Sequence, residues 1–191
     1  MKTRQFSLVV LSGFLILCMM PPLFAGSGDE KAKTEVYSAR VVPAGAPAPP
    51  LSIKIYISGT TTDEEVHALA AALKNGGSDA LEKAMDKMDN GRVTPPRSTG
   101  TKVAVIRTKK TETGQSIILV TDRPITFAEL WRGSRSQDYP FGIIQLNLDE
   151  KGNGDGSMIV AAKIKINDDN TIEVESYGMG PSKLIGVSHL D

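Results

Sequence analysis

Apolar residues alternate with polar ones along most of this chain, and one section departs from that two-residue period. In residues 52–58, Ile53, Ile55 and Ile57 alternate with Lys54 and Tyr56, the pattern of a strand with one buried face. Residues 35–42 (EVYSARVV) repeat it with β-branched and aromatic side chains and predict a first strand. Residues 43–50 (PAGAPAPP) form a Pro/Ala-rich linker, whose prolines have no N–H to give a sheet ladder. Further on, 102–108 and 115–121 predict a hairpin turning near Glu112-Thr113-Gly114. A second hairpin spans 141–148 and 157–166, with 151–156 as its turn. Residues 167–170 turn into a strand at 171–177, and 184–189 add a last short one.

The exception is helical. Thr62 followed three residues later by Glu65 predicts a capping box, in which each side chain satisfies a free backbone donor. Val66, Leu69, Ala70 and Leu73 follow at helical spacing, with Gly76 as the stop. Ser78 then opens a second helix carrying Leu81, Ala84, Met85 and Met88, ended by Gly91. No long helical pattern separates the later strands, so they are expected to pair antiparallel. The expected fold is therefore α+β: a helix hairpin packed on a mainly antiparallel, twisted β-meander of about six to eight strands.

The N-terminus changes where such a domain is expected to work. Lys2 and Arg4 precede an apolar run from Phe6 to Met20, then Pro21-Pro22 and the small residues Ala25 and Gly26. That order predicts a signal peptide over residues 1–25, a leader over 26–34 and one domain over 35–191. An uncleaved anchor is the alternative, but two prolines end the helix it would need. Cys18 lacks the small residue before it that a lipidated cysteine requires. The expectation is a periplasmic or extracellular bacterial protein, without a stable membrane span once the signal is removed.

Composition narrows the chemistry. The 191 residues hold 22 basic and 22 acidic side chains and one cysteine. Losing Lys2 and Arg4 leaves the rest slightly acidic, with no electrostatic drive toward nucleic acid. Losing Cys18 leaves no thiol for a disulfide, a nucleophile or a metal site. His67 falls off the apolar helical stripe and His189 stands far along the chain, a poor basis for zinc. The run Asp149 to Gly156 resembles part of a calcium loop, but Lys151 and Val160 occupy positions where oxygen ligands belong. A glycine-rich hairpin turn accounts for the same residues. Ser134 and Ser136 lack both a nucleophile elbow and a histidine partner. No cofactor, metal or catalytic residue is therefore assigned.

The densest polar and aromatic segment is 122–141, with Arg123, Arg132 and Arg135 beside Trp131 and Tyr139. Guanidinium forks suit carboxylates or phosphates and the rings suit an apolar ligand body, so these five residues form the candidate ligand site. Asp122, Glu129 and Asp138 could equally neutralise the arginines and make the segment a structural connector.

Residues 58–91, with T-T-D-E-E, L-K-N-G-G and M-D-N-G-R, and R-S-Q-D-Y-P-F-G at 135–142 resemble a family of uncharacterised exported bacterial proteins. Ala162-Lys163-Ile164 and Glu175-Ser176-Tyr177-Gly178 extend the likeness. It implies a single exported domain and no activity or cofactor. The function expected is that of a non-enzymatic exported binding or envelope-associated domain, its partner an unknown protein. The alternatives are binding of a small anionic ligand through 122–141, or a hydrolase built on Glu129 and Asp138.

Overall fold

The computed structural model describes residues 34–44, 49–125, 138–167, 171–177 and 180–190. Among these, the strands run β1 Glu35–Val42, β2 Leu51–Ile57, β3 Gly91–Thr94, β4 Thr101–Thr111 and β5 Gly114–Thr121. They continue as β6 Phe141–Asp149, β7 Gly154–Ile166, β8 Ile172–Ser176 and β9 Ser182–Leu190, and α1 Asp63–Met85 lies between β2 and β3. The signal peptide and leader expected at the N-terminus lie outside the described residues.

The expected helix hairpin on an open meander is corrected. β1 to β7 pair in chain order, all antiparallel, and β9 then joins β7 back to β1. Eight strands thus close a barrel, and β8 extends it as a hairpin on β7. Closure depends on the length of β7. One edge of this 13-residue strand meets β6, and the other meets β9 through 154–158 and β8 through 162–166.

The two-residue period shows why the barrel holds. Inward positions carry Tyr37, Ile53, Ile55, Val93, Ile117, Leu119, Ile144, Leu146 and Leu184 in one continuous apolar core. Eight strands enclose a space that side chains can fill, so this interior is packed rather than open. β3 is the strand the sequence pattern did not predict; Gly91 had been assigned to end a helix. It opens β3 instead, because a Cβ there would lie 2.2 Å from the Tyr56 carbonyl oxygen.

α1 begins as expected. The Glu65 N–H donates to Thr62 Oγ1 (3.2 Å) and the Thr62 N–H to Glu65 Oε2 (2.8 Å). Gly77, at φ +66°, breaks the helix where two separate helices had been expected to meet. Leu69, Leu73, Leu81 and Met85 pack on outward residues of the barrel, among them Ala104, Phe141, Ala162 and Ile164. Ser78 Oγ adds a hydrogen bond to the Ile164 carbonyl (3.1 Å).

A polar knot ties both ends of α1 to β4. A bulge near Ala104 interrupts the β4–β5 ladder. Asn90 Nδ2 donates to the Ala104 carbonyl (2.7 Å) and to Thr61 Oγ1 (3.3 Å). Thr61 Oγ1 also accepts the Ile106 N–H (3.0 Å), and Arg107 bridges the Thr61 carbonyl and Asp63.

Candidate functional site

The helix covers one part of the barrel wall, and among the described residues nothing covers the outer face of β1, β2 and β3. Their outward residues follow from the same alternation that points the isoleucines inward. Register places Arg40 opposite Ser52, and Ser38 opposite Lys54. Lys54 in turn faces Thr94, and Tyr56 faces Arg92. After β3, Pro95, Pro96, Arg97 and Ser98 fold into a wall, and with Ser38, Arg40, Ser52, Lys54, Tyr56 and Thr94 they bound a cleft of about 600 Å³.

Three cations, Arg40, Lys54 and Arg97, line this cleft, and no acidic side chain among the described residues does. All three are exposed. None forms an ion pair or side-chain hydrogen bond among the described residues. On neighbouring strands, Arg40 and Lys54 lie on a diagonal with Cβ atoms about 7–8 Å apart. Two unit charges at that distance repel by only about 0.5 kcal/mol in water. The repulsion is therefore tolerable, and an anion between the two would relieve it.

Arg97 has a further peculiarity. Its φ of +63° is the only left-handed one among the described non-glycine residues. A side chain in that region costs about 1–2 kcal/mol. The loop around it is held by Arg92 Nη1, which donates to the Thr99 carbonyl (3.2 Å). Strained residues held by their surroundings concentrate at binding sites.

A second cleft, of about 460 Å³, shares Tyr56 with the first. Ser58, Asp89 and Arg92 stand around it. Half-buried Tyr56 is thus a ridge between an acid-free cleft and one of mixed charge.

Of the five residues singled out by sequence, the structure describes two. Trp131, Arg132 and Arg135, with Glu129, lie outside the described residues. Arg123 is exposed after β5 and Tyr139 stacks on Tyr177 with ring centroids 5.3 Å apart; neither lines the cleft. Asp122, suggested as an arginine partner, pairs with Lys102 (2.9 Å), whose amine also caps α1 through the Asp86 carbonyl (2.6 Å).

Two other features resolve as architecture. Asp149 Oδ1 accepts the N–H groups of Lys151 (2.8 Å) and Asn153 (2.9 Å), so this carboxylate shapes the β6–β7 turn. At the same end of the barrel, Tyr37 donates to Glu35 Oε2 (2.9 Å) and meets His189 edge-on, with centroids 5.2 Å apart. Burial, reinforced by the Glu35 carboxylate, raises the Tyr37 hydroxyl well above its usual range.

The cleft did leave a trace in the sequence. Residues 36–58 and 91–111 contain no acidic side chain, although the chain holds 22. Apart from Gly186, every residue that lines the cleft comes from these two segments. No protein-family model, curated protein or solved structure matches this chain.

Proposed function

We propose that this protein is a non-enzymatic binding domain that works outside the cytoplasm and holds an anionic ligand on the bare face of β1–β3. The observation that carries this reading is the cleft in which Arg40, Lys54 and Arg97 converge with no acidic side chain among the described residues. Hydroxyls from Ser38, Ser52, Thr94 and Ser98 surround the cations, an arrangement suited to hydrogen-bonding carboxylate or phosphate oxygens. The barrel interior supports the same reading, because apolar side chains fill it and leave the outer surface to meet a ligand. The membrane question stays narrow: no helix among the described residues is long and apolar enough to cross a bilayer.

The location outside the cytoplasm rests on the charge, apolar run and small residues of 1–25. Expression in a bacterial host should yield a product whose intact mass lacks those residues; a membrane-bound product retaining them would refute export. For the ligand, melting temperature in the presence of citrate or inorganic phosphate is the direct measurement. An anion near 100 times its Kd should add about 2.7 kcal/mol of stability. The gain should vanish in an Arg40→Ala/Arg97→Ala double variant. Turnover of any ester or glycoside that disappears in Glu129→Gln or Asp138→Asn would replace the binding reading with an enzymatic one.

A further inference from the structure

We propose, resting on the binding reading above, that the ligand is an oligosaccharide with an acidic sugar in the first cleft and neutral sugars continuing past Tyr56 into the second. Reach is the first argument. Arg40 and Arg92 are separated by four residues along the strands and by two strands across, about 13 Å by about 10 Å at standard sheet spacings. No single phosphate or small carboxylate touches both. A chain molecule lying obliquely over the strands does.

The division of charge is the second argument. Arg40, Lys54 and Arg97 face only hydroxyls and apolar groups, so a carboxylate belongs among them. Beyond the Tyr56 ridge, Asp89 accompanies Arg92. That carboxylate repels a second anion but accepts hydrogen bonds from sugar hydroxyls, while Arg92 donates to them. A uniformly acidic polymer therefore fits worse than one in which acidic and neutral units alternate.

Tyr56 supplies the third argument. It lines both clefts, and its hydroxyl makes no hydrogen bond among the described residues. An aromatic ring with a free polar tip offers a sugar both a flat apolar face and a hydrogen-bond partner. Single-stranded nucleic acid is served differently, by several aromatic platforms along a strongly positive channel. Here one ring stands among serine and threonine hydroxyls, on a chain with equal numbers of acidic and basic residues.

The test is calorimetric titration of the full chain with a hyaluronan tetrasaccharide, glucuronate, a neutral chitin oligosaccharide and an oligothymidylate. The tetrasaccharide should bind at least about tenfold more tightly than glucuronate, and Lys54→Ala should weaken both about tenfold through loss of a charged hydrogen bond. Tyr56→Ala should weaken the tetrasaccharide at least about tenfold and glucuronate by no more than about threefold, because only the longer ligand crosses the ridge. That unequal loss is the decisive result, because general damage to the fold would weaken both ligands alike. Equal affinity for glucuronate and tetrasaccharide would overturn the oligosaccharide and leave the anion site standing. Tighter binding of oligothymidylate or of the neutral chitin oligosaccharide would also overturn it. If none of the probes binds and citrate and phosphate leave the melting temperature unmoved, the binding reading falls with it.

Discussion

On the α1 side of the barrel, the outward residues Val105, Val120, Ile143 and Ile159 lie beneath Leu69, Leu73, Leu81 and Met85. On the β1–β3 side, outward positions hold Ser38, Arg40, Ser52, Lys54 and Arg92 instead. Both halves are built on the same ladder and back onto the same interior. The difference lies in what each leaves to water. Covering one half with a helix removes apolar surface, at about 25 cal/mol per Å², and contributes to folding. Leaving cations unpaired on the other contributes little to folding. One half of the wall serves stability, and the other is the half to which the proposed function assigns recognition.

The largest expected effect breaks the covered half. Met85 is 1% exposed, and Met85→Ala should cost about 2–5 kcal/mol of unfolding free energy in urea titrations. Lys54→Ala, on the bare half, should stay within about 0.5 kcal/mol of the parent. Equal costs at the two positions would show that the bare half also carries the fold.

An intermediate effect is expected where the halves meet. Asn90 closes the polar knot at the β4 bulge, and Asn90→Ala strips the Ala104 carbonyl of a partner. A loss of about 1–3 kcal/mol is expected, measured in the same way. Hydrogen exchange should rise at the Ile106 amide, which bonds Thr61 within that knot.

The smallest effect sharpens the contrast. Glycine occupies the left-handed region without penalty, but it also makes the unfolded chain more flexible. Arg97→Gly exchanges about 1 kcal/mol of relieved strain for a similar entropic loss. Stability should therefore move by less than about 0.5 kcal/mol while anion binding falls about tenfold. A large loss of stability would assign Arg97 to the scaffold.

How much of this was legible along the chain differs between strand and sheet. β1 was readable to its last residue, because Tyr37, Ala39 and Val41 alternate with polar neighbours. The Thr62–Glu65 box marked the start of α1 for an equally local reason. Closure was not local. Tyr37 pairs with His189 across most of the chain, and no periodicity within either strand names its partner. β3 escaped because Gly91–Thr94 is four residues long and is followed at once by Pro95 and Pro96. The cleft escaped because Arg40, Lys54 and Arg97 come from three segments that only the sheet brings together. In 122–141 the cations are close in sequence, so that segment stands out along the chain and the cleft does not.

The seam between β1 and β9 has a kinetic consequence. It joins the first strand in chain order to the one that follows all the others, with Val36 opposite Leu190. Contacts of such long sequence separation form slowly, since loop-closure entropy must be spent before they contribute. A chain emerging from the ribosome can form β-hairpins and the helix early, yet it has no ring to close until β9 arrives. The barrel therefore stays open until β9 has been synthesised.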